Sequence, residues 1–194
     1  MLHQVLAVAW ELTKRSAISA IASIAVFLVG AGLMHTIGFR QVKRPVFVPN
    51  GAGDLFQSIC SLAFGSPLLM AFLILNEYKP ICQAYVGPIG PTWPAYAWWL
   101  LSVPLYLWLW DLVFYCTHLV LHTKPVYDYS HHKHHAFRPP TAYSAIAIDP
   151  LETILSGLMP FVIPLFIAPF HLPTVFALNG MAMWVSKAAP LAAP

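Results

Sequence analysis

Long runs without a formal charge dominate the hydrophobic pattern of this chain. Residues 16–37 and residues 55–76 each contain 22 residues and no Lys, Arg, Asp or Glu. Residues 96–122 form a third apolar run, in which Asp111 is the single formal charge. About 20 consecutive apolar residues are enough for a helix to cross the hydrocarbon core of a bilayer. The pattern therefore predicts three transmembrane helices.

Prolines interrupt the last apolar stretch, residues 153–186, which also lacks formal charges. Because a proline inside a helix removes a backbone hydrogen bond, this stretch is predicted to be a broken membrane hairpin. Its first limb, residues 153–170, is nearly long enough to span a bilayer. The second limb, residues 174–186, has 13 residues and would reach only about 20 Å as a helix. Residues 187–194 form a low-complexity tail that we predict to be neither a helix end nor part of a folded domain.

The composition agrees with a lipid-embedded chain. Hydrophobic residues make up 59% of the 194 residues and charged residues 9%, whereas soluble domains carry about 25% charged residues. The excess of Lys and Arg over Asp and Glu is only 10 against 7 and is scattered over loops, which excludes a nucleic-acid-binding surface. We therefore predict an all-α integral membrane helical bundle with three to five membrane helices.

Basic residues predict which side of the membrane the loops occupy. If the three helices alternate in direction, six basic residues fall on the side that follows the third helix, and three fall on the opposite side. The six are Arg40, Lys43, Arg44, Lys124, Lys133 and Arg138, and the three are Lys14, Arg15 and Lys79. Since cytosolic loops carry an excess of Lys and Arg, the side that follows the third helix is predicted to be cytosolic.

Two histidine clusters lie at the end of the third predicted helix and just beyond it. The first is His118-Leu-Val-Leu-His122, and the second is His-His-Lys-His-His at residues 131–135. Imidazole binds iron, zinc or copper without adding charge, so this density of histidines predicts a metal site at the mouth of a membrane helix. On a helix, His118 and His122 share one face, and the histidines at 131, 134 and 135 span an arc of about 100°. Without the first cluster, the second would also fit adventitious metal affinity in a solvated loop.

Side chains near the two clusters are predicted to orient the metal-binding imidazoles. Helical spacing places Asp111 and Tyr115 on the face of His118 and His122, so the Asp111 carboxylate is predicted to hydrogen-bond and orient a ligand imidazole. A structural contact between helices is the alternative role for Asp111. His132 lies at the edge of the second arc, where it is either a supporting residue or solvated. The isolated residues His3, His35 and His171 are predicted to be interfacial or helix-packing residues.

These motifs resemble those of the fatty acid hydroxylase and sterol desaturase superfamily. The resemblance is carried by Asp-Leu-Val-Phe-Tyr-Cys-Thr-His-Leu-Val-Leu-His at 111–122, the histidines of 131–135, Pro140-Thr141, and Asp-Pro-Leu-Glu-Thr at 149–153. It covers about residues 90–185. Within the superfamily the chain is most similar to 4-methylsterol oxidases, with sterol 5-desaturases as the nearby alternative. The His-Glu-x-x-His motif of soluble zinc proteases is absent from the sequence.

The resemblance implies an integral membrane enzyme of the endoplasmic reticulum with a histidine-bound, non-haem di-iron centre. Such an enzyme oxidises a C–H bond of a sterol or another lipid with O2, and takes electrons from NAD(P)H through a reductase and a small haem protein. The positions that match the family's iron ligands are His118, His122, His131, His134 and His135. The implied organisation is N-terminal membrane helices in residues 1–95, followed by a partial fatty acid hydroxylase domain in residues 96–194.

The sequence also departs from the family pattern. Leu119 stands where the family usually has Arg, Cys116 where an aromatic residue is common, and Asp149 where His often precedes Pro. A further His-x-x-His-His box is absent from the 194 residues, and five histidines cannot supply the roughly eight to twelve donors that two iron ions require. We therefore expect a truncated form of the oxidoreductase. The alternatives are a non-catalytic truncated paralogue with a partial metal site, and a metal transporter with a histidine-rich loop.

Overall fold

Three long helices carry most of the chain in the computed structural model, which describes residues 2–42, 51–136 and 142–192. They are α1 (Leu2–Val42), α2 (Gly51–Tyr78) and α3 (Trp93–Leu121). Each is long and apolar enough to cross a membrane. At the end of the bundle away from the histidines, α1 and α2 are joined by a bidentate ion pair, in which both terminal nitrogens of Arg15 contact the Glu77 carboxylate at 2.6 and 2.7 Å.

Short helical pieces follow α3. The segment that contains the second histidine cluster runs through α4 (Lys124–Val126), a π-helical turn (Tyr127–His131) and α5 (His132–His135). The next membrane segment is assembled from α6 (Pro150–Glu152), a π-helical stretch (Thr153–Leu158), α7 (Met159–Val162) and α8 (Pro164–Ile167). The last element is α9 (Leu172–Ala192).

The structure confirms the predicted fold class and revises one part of the predicted hairpin. Among the described residues, four helical segments could cross a membrane, the fourth being Pro150–Ile167. The return limb is longer than predicted: α9 has 21 residues, or about 31 Å, and it extends to Ala192. The prediction that the tail from residue 187 lies outside a helix was therefore wrong. Its alanine content explains the difference, because alanine has the highest helix propensity.

The hairpin packs on the middle of α3 and fixes the position of that helix. Tyr106 is 1% exposed, its ring meets Phe170 edge-on at 5.3 Å between centroids, and its hydroxyl accepts a hydrogen bond from Asn179 at 2.8 Å. Leu109 and Leu165 complete the centre of this buried cluster. This contact lies about three turns before His118, so it fixes the part of α3 that leads to the histidines.

Polar side chains of α2 hold the loop that leads into α6. The Gln57 side-chain amide donates to the Ile148 carbonyl at 2.7 Å, and the Ser61 hydroxyl donates to the same carbonyl. The Ser58 hydroxyl donates to the carbonyl of Tyr143. These bonds satisfy backbone groups that would otherwise be left without a partner in an irregular, partly buried segment. These contacts with α2 therefore fix the position at which α6 begins.

Gly65 allows the close approach of α2 to the π-helical stretch. A Cβ atom at this position would lie 2.7 Å from Cγ2 of Thr153, whereas a Cβ atom at Gly157 would meet nothing within 4 Å. We therefore predict that Gly65→Ala lowers the free energy of unfolding by about 1–3 kcal/mol, as overpacking of a close contact does. Thermal unfolding in detergent checks this, with Gly157→Ala as the matched control. Equal melting temperatures for the two variants would contradict the prediction.

Some residues used in the sequence predictions lie outside the described residues. They are Lys43, Arg44 and Arg138, which entered the count of basic residues, and Pro140 and Thr141, which belong to the family motif.

Candidate metal centre

The first histidine cluster sits at the C-terminal end of α3. His118 lies in the last turn, and His122 is the residue that caps the helix. Their Nε2 atoms are 3.2 Å apart. The His118 ring is partly buried and stacks on Phe114, with 5.4 Å between ring centroids, whereas His122 is exposed. The end of α3 thus presents two imidazoles side by side.

The second cluster folds back onto the first. His131, the last residue of the π-helical turn, is 0% exposed, and its ring centroid lies 4.8 Å from that of His118 and 4.7 Å from that of His122. The Nε2 atom of His131 is 3.0 Å from that of His135. The His134 ring stacks beside His131, with 5.8 Å between centroids. The five imidazoles predicted from the sequence as ligands therefore lie in one cluster.

The spacing of the nitrogen atoms fits a metal ion. Two nitrogens at about 2.1 Å from one ion and at right angles lie about 3.0 Å apart. The Nε2 separations of 3.2 Å for His118 and His122 and 3.0 Å for His131 and His135 are close to this value. The possible ligand atoms of His118, His122 and His131 all lie within 4.8 Å of one another. These histidines are arranged so that they could hold a metal ion.

The local electrostatics keep two of these imidazoles neutral. Burial lowers the pKa of His131 to about 4, and the nearby imidazole of His135 acts in the same direction. Burial also lowers the pKa of His134, against the opposing effect of its hydrogen bond to the Ala147 carbonyl. Because a metal binds the neutral ring, both side chains are ready to donate a lone pair near neutral pH.

A carboxylate supports the cluster, but it comes from α6. Oε1 of Glu152 lies 2.9 Å from Nδ1 of His131, and the Glu152 side chain is only 3% exposed. Asp149 caps α6 by accepting a hydrogen bond from the Glu152 backbone N–H at 3.0 Å. Its carboxylate also accepts a hydrogen bond from the Ser130 hydroxyl at 2.5 Å. The Asp149 carboxylate thus fixes the start of α6, and the Glu152 carboxylate contacts His131 of the histidine cluster.

Sequence reasoning did not identify the contact made by Glu152. The run Asp-Pro-Leu-Glu carries a recognisable helix start, with an N-cap residue, a proline at the first helical position and an acidic residue in the first turn. This signal predicts the helix that carries Glu152. It does not predict which side chain Glu152 meets, because that partner lies 21 residues away along the chain.

The three predicted supporting residues, Asp111, Tyr115 and His132, are exposed in the structure. Asp111 is exposed and lies seven residues, or about 10 Å along the axis, from His118. Among the residues that the structure describes, neither Asp111 nor Tyr115 hydrogen-bonds to a histidine. The hydrogen bond expected between Asp111 and a ligand imidazole is therefore not formed. His132 is also exposed, and its Nδ1 atom lies 3.2 Å from the Tyr127 carbonyl.

The remaining histidines have local roles. His35 packs against Tyr143, with 5.5 Å between ring centroids. At the opposite end of the bundle, the two ring nitrogens of His171 lie 2.9 Å from the Thr174 hydroxyl and 3.0 Å from the Gly87 carbonyl. His3 is exposed. These placements agree with the packing and interfacial roles predicted for the isolated histidines.

Comparison with known proteins places the site in a family context. A sequence model described as "Fatty acid hydroxylase" matches residues 103–189. The chain is 25% identical over 134 residues to "Fatty acid hydroxylase domain-containing protein 2" of Homo sapiens, which covers 69% of this chain and 38% of that protein. No solved structure gives a significant match.

Sterol-modifying enzymes are also among the relatives. The chain is 27% identical over 172 residues to "Delta(7)-sterol-C5(6)-desaturase" of Nicotiana tabacum, covering 81% of this chain and 61% of that protein. It is 28% identical over 132 residues to "Lathosterol oxidase" of Rattus norvegicus, covering 67% of this chain and 43% of that protein. The chain thus spans about two-fifths to three-fifths of the length of these relatives. Residues 103–189, which contain both histidine clusters and the hairpin, match the fatty acid hydroxylase family, and the chain is distantly homologous to sterol C5-desaturases.

Proposed function

We propose that this chain belongs to a membrane-bound non-haem iron oxidoreductase that uses O2 to oxidise a C–H bond of a sterol or another lipid. The single observation that carries the proposal is the convergence of the two histidine clusters, in which His131 lies within 5 Å of both His118 and His122 by ring centroids. Family membership supports the reaction class. The relatives named as sterol desaturase and lathosterol oxidase favour a sterol as the substrate.

In this proposal, His118, His122, His131, His134 and His135 hold the iron. When bound, iron would supply the redox chemistry and the open coordination positions that O2 activation needs. The protein's own contribution is to present neutral imidazoles, which would hold a metal ion without cancelling its positive charge. Burial of His131 and His134 supports this role, because it keeps both rings neutral.

The membrane gives the substrate a route to the cluster. The α3 residues Trp108, Leu112 and Leu119 are exposed by 62%, 43% and 57%, and they lie on the part of the helix that leads to the histidines. An apolar surface of this kind is compatible with lipid, so a sterol that lies in the bilayer could approach the cluster laterally. The reactive carbon would then lie beside the histidine cluster at the C-terminal end of α3.

Electron donors and location form part of the same proposal. We infer that electrons come from NAD(P)H through a reductase and a small haem protein, and that the enzyme resides in the endoplasmic reticulum. The histidine side would face the cytosol, as the count of basic residues favours.

Thiol labelling can test the predicted orientation. Tyr129, beside the second histidine cluster, is 70% exposed, and Val86, at the opposite end of the bundle, is 76% exposed. In a cysteine-free background and in sealed vesicles with the cytosolic face outward, a membrane-impermeant maleimide is expected to label Tyr129→Cys but not Val86→Cys. Labelling of Val86→Cys alone would contradict the prediction, because it would place the histidine side opposite the cytosol.

The proposed function is tested by iron content and lipid oxidation together. The purified 194-residue chain in nanodiscs is expected to bind ferrous iron, and His134→Ala is expected to bind less. With donor proteins and O2, oxidation of a 4-methylsterol or a Δ7-sterol would be followed by mass spectrometry. Iron binding without oxidation would favour the non-catalytic alternative, and absence of iron from the wild-type chain would contradict the proposal.

A further inference from the structure

Glu152 is a buried carboxylate whose burial is not explained by stability. Its side chain is 3% exposed, and one oxygen, Oε1, lies 2.9 Å from Nδ1 of His131. Its other oxygen, Oε2, is buried and has no hydrogen-bond partner among the described residues. A buried carboxylate with an unsatisfied oxygen opposes folding, since it loses its hydration without full compensation. Such groups call for a functional explanation.

The backbone around Glu152 is fixed with respect to His131. Asp149 accepts a hydrogen bond from the backbone N–H of Glu152, and the same Asp149 oxygen accepts one from the hydroxyl of Ser130, the residue before His131. The Thr153 hydroxyl donates to the Asp149 carbonyl at 2.8 Å. The contact between Glu152 and His131 is therefore held from both sides by one cap residue, and small rotations of α6 cannot easily break it.

The two nitrogens of His131 have different surroundings. Nδ1 faces Glu152, whereas Nε2 faces His135 at 3.0 Å and lies on the side of the ring that meets the other histidines. When Glu152 is ionised it can only accept a hydrogen bond, so Nδ1 then carries the proton and the lone pair remains on Nε2. In that state the contact selects the tautomer that can bind a metal through Nε2.

We propose that Glu152 is a positioning residue, which holds the His131 ring in orientation and tautomer and raises the basicity of its Nε2 lone pair toward the metal. Histidine ligands of metals commonly donate their second ring N–H to a carboxylate or carbonyl in this way. His134 has a backbone carbonyl in the corresponding place, because its Nδ1 atom lies 3.3 Å from the Ala147 carbonyl oxygen. The proposal rests on the proposed function, because it requires that the histidine cluster binds iron.

Titration of the full chain with ferrous iron alone tests this role. In nanodiscs and without O2, Glu152→Ala is expected to raise the Kd for iron about 10- to 100-fold, as the loss of such a supporting carboxylate does. Glu152→Gln keeps an oxygen that accepts the Nδ1–H, so it should restore part of the lost affinity. Ser156→Ala is the matched control, because Ser156 lies four residues further along and its buried hydroxyl makes no hydrogen bond among the described residues.

A spectroscopic readout separates positioning from a general loss of structure. With cobalt(II) in place of iron, the ligand-field bands of Glu152→Ala should shift from those of the wild type, and those of Glu152→Gln should lie between. Circular dichroism reports the folded fraction of each variant. If the wild type binds iron and folded Glu152→Ala binds it equally well with the wild-type cobalt spectrum, the positioning role is wrong while the proposed function stands. If the wild type binds no iron, the proposed function itself fails.

Discussion

The His131→Ala variant is expected to bind ferrous iron at least about 100-fold more weakly than the wild-type chain, since it removes a proposed ligand and not only a supporting residue. The physical reason is the central position of this ring. Its centroid lies within 6 Å of the other four predicted ligands, at 4.8 Å from His118, 4.7 Å from His122, 5.8 Å from His134 and 4.5 Å from His135. Removing it also leaves the buried Glu152 carboxylate without its histidine partner.

The adjacent residue provides the control for this experiment. His132 carries the same side chain, but it is exposed, and its Nδ1 atom faces the Tyr127 carbonyl. We expect His132→Ala to keep an iron affinity within about threefold of the wild type, which amounts to less than about 1 kcal/mol. Equilibrium titration in nanodiscs measures both variants. If His132→Ala lost as much affinity as His131→Ala, the cluster would be an unspecific histidine-rich loop.

The second large effect is expected at Asp149. Asp149→Ala should lower the free energy of unfolding by about 2–4 kcal/mol, because it removes the cap of α6 and leaves the buried Ser130 hydroxyl without an acceptor. Asp149→Asn retains an oxygen that can accept both hydrogen bonds, and asparagine is an equally good cap. Asp149→Asn is therefore expected to lower the free energy of unfolding by less than about 1 kcal/mol.

Denaturant unfolding in detergent, followed by circular dichroism, checks the Asp149 series. Asp128→Ala serves as the control, since Asp128 is an exposed carboxylate in the same part of the chain. We expect Asp149→Asn to unfold close to the wild type and Asp149→Ala to unfold well before it. If Asp149→Asn lost as much free energy of unfolding as Asp149→Ala, the hydrogen bonds would not be the cause. The negative charge of Asp149, which lies 3.7 Å from the Lys133 ammonium, would then matter more.

The membrane helices and the histidine cluster could both be predicted from the sequence, because each depends on local pattern. A run without charges fixes a membrane helix by length and hydrophobicity alone. The spacing of His118 and His122 fixes their common face by helix geometry. The second histidine cluster meets the first because only residues 123–130 connect them, and so short a connection favours a chain that folds back on the end of α3.

The supporting carboxylate could not be predicted in the same way. Helical spacing favoured Asp111, but a carboxylate two turns away along the same helix cannot reach the ring. The position of Glu152 depends on contacts distant in sequence, in which Gln57 and Ser61 hold the Ile148 carbonyl and Gly65 admits Thr153. No local pattern records such contacts. The same holds for α9, whose extent was underestimated because prolines and low complexity outweighed the helix propensity of alanine in the prediction.

X-ray absorption spectroscopy of the iron-loaded chain tests the central claim most directly, because it reports the atoms bound to the metal. If histidines of both clusters hold the ion, the spectrum should show nitrogen neighbours at about 2.1 Å together with the multiple scattering that imidazole rings produce. The His118→Ala and His131→Ala variants should each lose part of that imidazole signal. A spectrum with oxygen neighbours alone, unchanged in both variants, would contradict the proposal that the two clusters form one metal centre.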